Sequence, residues 1–321
     1  MNHSRWPVHP HPVKEEAILS WLSRIAICYG LGVSELLHDL DFHGDPNDLT
    51  MSIPHRLLEL LSNRTGVEKQ NIYALTVTSW RLLLGIDSDF ESYVHHYSLL
   101  LSLNQRKRYF PKKAWRPWFP SSWSSPKACP ECAISKDSNV MLLVWYLPIM
   151  LSCPIHQCVL HTCFSIHGRY IMWKKDSDLE IPHSPAIQNM DRRTWSALTT
   201  GEVKLPRRTV HGAVWLRLLR TLLDELHIPI SSKIPTYTNM VSIWDALGLT
   251  QQDVRSRWCP YEELTFQSQQ ITLMVAATAI EQIENKTIHP PGKTAYLFLE
   301  ESKNNEDLPS LPPKLNYWNF L

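Results

Sequence analysis

Apolar residues recur at helical spacing along the first third of the chain. Ile18, Leu22, Ile25 and Ala26 share one face of a stretch opened by Lys14-Glu15-Glu16, Gly30 and Gly32 interrupt it, and Val33, Leu36, Leu37 and Leu40 resume it. This predicts two short helices around a glycine turn, a helix-turn-helix arrangement. The logic repeats when Leu57, Leu58 and Leu61 lead through Thr65-Gly66-Val67 to Ile72, Leu75 and Val77, predicting a second pair whose later helix runs from Val67 to Trp80. Gly30 and Gly66 are 36 positions apart, as a helical duplication would place them, and the loop His43 to Asp48 separates the copies.

From Val140 to Leu151 the chain is uncharged and apolar for 12 residues and includes Pro148. That is well short of the ~20 residues a membrane-spanning helix needs. Its β-branched and aromatic content predicts a short strand or two. Helical periodicity returns after residue 186. Val214, Trp215, Leu218, Leu219, Leu222 and Leu226 mark a helix within His211 to Ile228. Met240 to Leu247, the Gly248 break and Thr250-x-x-Asp253 give a third helix-turn-helix-like unit, and Pro260 opens a long helix through Ile271, Met274, Val275, Ala277 and Ile280 to about Asn285.

Seven cysteines stand at 28, 129, 132, 153, 158, 163 and 259. An odd count with five packed between 129 and 163 points to a metal cluster and not to a disulfide frame. Cys129-Pro-Glu-Cys132 and Cys153-Pro-Ile-His156 form a C-x2-C-x20-C-x2-H arrangement. Each knuckle puts two donors on a tight turn, and together they complete a tetrahedron around Zn2+ at about 2.1 to 2.3 Å. Four protein ligands leave no position for an activated water, so the expected zinc is structural. Cys158, His161, Cys163 and His167 do not form a standard second pair of knuckles and read as packing residues, with ligand exchange at the cluster as the alternative.

The fold class expected is mainly α. A helix-turn-helix-like N-terminal domain covers 1–103, a basic aromatic connector 104–127, a central zinc ribbon with short β-strands 128–170, a helical C-terminal domain 186–285, and a Pro- and Lys/Glu-rich tail 286–321.

Composition alone argues against a DNA-coating protein. The 321 residues, enough for about two domains, carry 32 Lys and Arg against 31 Asp and Glu, a net charge of +1. Only 10 glycines, and neither a GxGxxG nor a GxxxxGK[ST] string, disfavour glycine-loop nucleotide folds. The average conceals segregation. Residues 1–103 hold 7 basic and 12 acidic side chains, whereas 104–127 hold 7 basic and no acidic ones. Arg106, Lys107, Arg108, Lys112, Lys113 and Arg116 alternate there with Tyr109, Phe110, Trp115, Trp118 and Phe119. The cations suit phosphates, and the aromatics suit anchoring to a neighbouring core. Glu35, Asp39 and Asp41 give the first helix pair a face for protein, while Lys69, Gln70 and Asn71 leave the second open as a DNA reader. The N-terminus lacks the apolar core of a signal peptide, so a cytoplasmic protein is expected.

The strings EEAILSWLSRIAICYGL, the helix pair around Thr65-Gly66-Val67, ACPEC, WYLPIMLSCPIH and VLHTC together resemble the TniQ/TnsD family of transposition proteins over residues 7 to 170. The segments Ser20 to Arg24 and Trp145 to His156 carry most of the resemblance. It implies a helical domain followed by zinc ribbons, with Cys129, Cys132, Cys153 and His156 as ligands. It also implies a non-catalytic target-selection adaptor that links a DNA-targeting module to an AAA+ ATPase regulator of the transposase. Some members read an attachment site in DNA; others ride on an RNA-guided CRISPR effector complex. The second ribbon that relatives begin at the cysteine matching Cys163 lacks further paired cysteines here, so one zinc is expected and a second is doubtful. The short chain and the acidic N-terminal domain favour the effector-associated kind. The expected partners are then the ATPase, the CRISPR effector or target DNA, guide RNA, and a second copy in a homodimer, with no membrane. The alternative is a stand-alone sequence-specific DNA-binding protein that reads an attachment site through its helix-turn-helix units. A zinc enzyme lacks an acid-base pair beside the cluster.

Overall fold

A computed structural model describes residues 5–81, 83–84, 127–134, 140–147, 149–166, 169–172, 184–227, 237–251, 261, 264–289 and 293–299. The chain divides into two compact units, residues 1–91 with 119–177, and residues 92–118 with 178–321. The described residues are mainly helical.

The first unit opens with α1 (Ile18–Cys28) and α2 (Val33–Asp39), followed by a 3-10 turn at Pro46–Thr50, then α3 (His55–Thr65) and α4 (Lys69–Tyr73). Ile18, Trp21, Leu22 and Ile25 of α1 are fully buried with Leu36, Leu37, Leu57, Leu61 and Ile72 in one core, each such side chain stabilising by about 1.5–3 kcal/mol. Both predicted helix pairs are present. Gly30 (φ 67) and Gly66 (φ 72) take left-handed conformations just past α1 and α3, where a side chain would strain the turn.

The last helix is shorter than its periodicity predicts. It covers Lys69–Tyr73 and not Val67 to Trp80, because the backbone beyond it is drawn into tertiary bonds. Leu75 C=O accepts from Ile18 N–H at 2.9 Å, and Thr78 N–H donates to Met51 C=O at 3.0 Å.

The ribbon segment belongs to this same unit. Strand β1 (Lys127–Ala128), helical turn α5 (Pro130–Ile134), strands β2 (His161–Ile166) and β3 (Arg169–Met172) follow, and the sheet order β1-β2-β3 is antiparallel. The strand expected between the knuckles is absent among the described residues. Leu143–Tyr146 is a 3-10 turn, and the strands flank the knuckles instead. The physical reason lies in the backbone pairing of this apolar stretch. Met141 C=O accepts from Ala17 N–H at 2.8 Å, Leu143 N–H donates to Glu15 C=O at 2.9 Å, and Met141 N–H donates to the Ser20 hydroxyl at 2.9 Å. The stretch thus pairs with the entry to α1 and is buried from Met141 to Val144.

Glu16 anchors that junction. Its carboxylate is fully buried and accepts from Val13 N–H (2.9 Å), the Ser20 hydroxyl (2.8 Å), Arg24 Nε (2.8 Å) and Arg24 Nη2 (2.6 Å). Arg24 also donates to His11 C=O at 2.7 Å. A buried carboxylate persists only when paired and bonded in this way.

The second unit contains α6 (Pro185–Thr199), a hairpin of β4 (Glu202–Lys204) and β5 (Thr209–His211), α7 (Gly212–Leu226), α8 (Tyr237–Asp245) and α9 (Phe266–Glu284). Three predicted helices are found, with His211 and Thr265 as side-chain N-caps of α7 and α9. The long helix therefore begins after Thr265 and not at Pro260. Trp215 donates to Thr194 Oγ1 at 3.1 Å, and Arg193 pairs with Glu284 at 2.7 Å while lying over Trp215 and Phe298. Asp253, Cys259 and the final LNYWNFL lie outside the described residues.

Candidate metal centre

Strand pairing brings the two knuckles together. Residues 129–132 follow β1 directly. Residues 153–158 form the tip of a small hairpin whose arms pair at Ser152↔Val159 and Leu160 N–H to Leu151 C=O (2.9 Å). That hairpin runs on into β2, whose His161 is the register partner of Ala128. Each knuckle begins at the residue directly after a paired position, Cys129 after Ala128 and Cys153 after Ser152, so the strand pairing fixes their relation. Within the second knuckle, Cys153 N–H donates to Cys158 C=O and Gln157 N–H to Cys153 C=O, both at 2.8 Å, with Gln157 at φ 59 closing the loop.

The four predicted ligands converge. The Sγ atoms of Cys129, Cys132 and Cys153 and a ring nitrogen of His156 all lie within 4.8 Å of one another. His156 Nδ1 is 3.4 Å from Cys129 Sγ, 3.2 Å from Cys132 Sγ and 3.9 Å from Cys153 Sγ, and Cys132 and Cys153 Sγ are 4.0 Å apart. A zinc tetrahedron with Zn–S of about 2.3 Å and Zn–N of about 2.1 Å has edges of about 3.8 Å between sulfurs and about 3.6 Å from sulfur to nitrogen. The cluster therefore fits a metal ion such as zinc in donor chemistry and in size. Cys129 and Cys153 are buried, Cys132 is partly covered and His156 is exposed. Backbone N–H groups of Cys132 and His156 donate to the sulfurs of Cys129 (3.3 Å) and Cys153 (3.5 Å), the polarity a thiolate needs.

A hydrogen bond that the Cys129 thiol donates to Cys153, followed by burial, pushes the Cys129 thiol far above its ordinary range. Burial, reinforced by Cys129, pushes Cys132 up to about 12. Crowded thiols resist ionising until a cation compensates them, so metal capture here must expel protons.

Sequence reasoning missed one neighbour. Cys158 Sγ lies 3.3 Å from Cys129 Sγ, and burial, then the bond to Cys129, pushes its thiol up to about 12. It stands outside the four-donor group but against it, not merely in packing. Its position two residues after His156 was the available signal. Cys163 is a packing residue, as expected: it is fully buried in β2, and burial pushes its thiol up to about 12. His167 lies outside the described residues.

The nucleic-acid candidates Arg106, Lys107, Arg108, Lys112, Lys113 and Arg116 also lie outside the described residues. Lys127, counted with them in the basic stretch, is buried and donates to Met150 C=O at 2.9 Å. Its charge is spent inside the fold. Lys69, on the proposed DNA-reading face, holds Glu59 at 2.7 Å and keeps that carboxyl below its usual range.

Residues 7–160 match the TniQ family model, just under half of the chain. The chain carries a TniQ domain over this stretch. Residues 7–91 and 119–160 of the TniQ stretch fall in the first unit, where they take in α1 to α4, the Glu16 junction and both knuckles and end where the second knuckle's hairpin meets β2. A TniQ domain implies a transposition-associated target-selection protein. Comparison with curated proteins and with solved structures gives no match. Among the described residues, no helix is long and apolar enough to cross a membrane.

Proposed function

We propose that this TniQ protein is a non-catalytic adaptor in target selection, joining a DNA-targeting complex, read here as an RNA-guided CRISPR effector, to the AAA+ ATPase regulator of the transposase. The observation carrying this reading is the four-donor cluster set inside the TniQ stretch. Three thiolates and one imidazole fill a tetrahedral ion's coordination sphere, so the ion holds structure and offers no site for activating water. Cys129, Cys132, Cys153 and His156 would hold one zinc, fixing the segment that pairs with the entry to α1.

The helix pairs then serve as protein-docking surface. The stand-alone DNA reader is less well supported: α4 is only 5 residues long, and its Lys69 is engaged with Glu59. The connector cations Arg106, Lys107, Arg108, Lys112, Lys113 and Arg116 supply the contact to target DNA or guide RNA, sequence-blind and salt-sensitive.

Co-purification of the full chain with the ATPase and effector encoded beside it tests the proposal. Stable association with either, together with duplex binding that ignores sequence, is expected. Tight, sequence-selective binding to element-end DNA by the chain alone would overturn it.

A further inference from the structure

The balance of 10 basic and 10 acidic side chains over residues 186–285 conceals a second segregation. From Val203 to Leu223 no carboxylate occurs, while Lys204, Arg207, Arg208, Arg217 and Arg220 do. Arg220 is buried and bound to Asp224 at 3.0 Å, which removes it from the surface. Lys204, Arg207 and Arg208 sit on the β4–β5 hairpin, and Arg217 on the helix that follows it.

That hairpin is a rigid support. Leu205 N–H donates to Arg208 C=O at 3.1 Å across the turn Pro206-Arg207, and Val203, Leu205 and Val210 are buried. Alternation then forces Lys204, Thr209 and His211 outward. Arg207 N–H donates to Leu297 C=O at 3.3 Å, which ties the turn to the residues beyond α9. Lys204 and Arg208 are exposed, and neither has an ion pair among the described residues. Arg217 is exposed on α7, the helix that follows the hairpin directly. The one acid of the hairpin, Glu202, is at the far end from the turn, opposite His211 in register.

We infer that the tip of this hairpin is a contact for the nucleic-acid phosphate backbone, carried by residues other than the connector cations and outside the TniQ stretch. Apart from Glu202, the outward side chains are those of Lys, Arg, Thr and His, the groups that bond phosphate oxygens. The outward face of the hairpin offers no aromatic or large aliphatic anchor of the kind a protein hot spot requires. The inference rests on the adaptor reading only in that both place nucleic acid beside this chain.

The test measures binding of the full chain to a random-sequence duplex of about 30 base pairs by fluorescence anisotropy, from about 50 to about 200 mM KCl. K204A/R208A is compared with wild type, and R106A/K107A/R108A reports on the connector separately. Two lost phosphate contacts lower the slope of log K against log[KCl] by about 1.8, so wild type loses ~12-fold more affinity than K204A/R208A over that range. An unchanged slope in K204A/R208A with an unchanged thermal melt overturns the hairpin contact, whatever the connector variant does. So does weakened binding to polyglutamate with duplex binding intact. Either result, alongside retained association with the ATPase or effector, leaves the adaptor reading standing.

Discussion

Ser20 and Met141 are 121 residues apart in sequence and joined by a 2.9 Å hydrogen bond, the buried Met141 N–H donating to the Ser20 hydroxyl while that hydroxyl donates to Glu16. The bond ties the first helix to the chain that runs between the two Cys/His knuckles. It also gives the Ser20 to Arg24 segment, prominent in the family resemblance, a physical task. Ser20 and Arg24 are the two side chains that satisfy the buried Glu16 carboxylate from within α1.

Arg24→Ala leaves Glu16 buried with its cation removed and should cost about 3–5 kcal/mol. Ser20→Ala leaves the Met141 N–H and one carboxylate oxygen short of a partner and should cost about 1–3 kcal/mol. Urea unfolding of both variants checks the order. Equal and negligible losses would mean the junction is incidental.

Cys158 and Cys132 should separate cleanly. Cys158 touches Cys129 but stands outside the four-donor group, so Cys158→Ser should keep a full complement of zinc, whereas Cys132→Ser should lose it. Elemental analysis of the purified variants decides. Zinc lost on Cys158→Ser would make it a ligand.

The thiols set a pH dependence whose sign depends on the metal. Without metal, Cys132, Cys158 and Cys163 hold their protons to about 12 in the folded chain, against 9.0 for an unperturbed thiol. Between these values the unfolded chain binds fewer protons than the folded one, so stability falls as pH rises through this window. Bound zinc reverses the sign for its own ligands, which fold as thiolates and lose stability on acidification. Urea midpoints in chelator should drop between pH 8 and pH 10, and the drop should be smaller with zinc present. An equal drop in both would contradict the assignment.

Lys69→Ala tests the alternative reading. Its ammonium is held by Glu59 in an exposed pair, worth about 0–1 kcal/mol. Duplex affinity should be unchanged. A clear loss restricted to one DNA sequence would restore the helix-turn-helix reader.

Much of the fold was legible because periodicity and punctuation agreed. The faces Ile18-Leu22-Ile25 and Leu57-Leu61 became buried helix stripes, and Gly30 and Gly66 ended their helices in left-handed turns. The four-donor cluster was legible because knuckle chemistry is local: two donors per turn. What failed was long-range. Met141 to Val144 reads as a strand by composition, yet its backbone partners belong to Glu15, Ala17 and Ser20, which no local pattern announces. Ile72, Leu75 and Val77 keep helical spacing although Leu75 and Thr78 leave the helix to bond Ile18 and Met51. Lys127 counted as a surface cation until its burial was seen, and the hairpin cations were lost in a balanced sum.

The most direct test of the account is zinc content joined to stability in one sample. Wild-type chain should carry one zinc, and removing it with a chelator should melt the helices of the TniQ stretch together with the ribbon in a single transition, because Ala17, Ser20 and Glu15 share their bonds with Met141 and Leu143. A chain purified without zinc, or one whose melting is indifferent to the chelator, would contradict it.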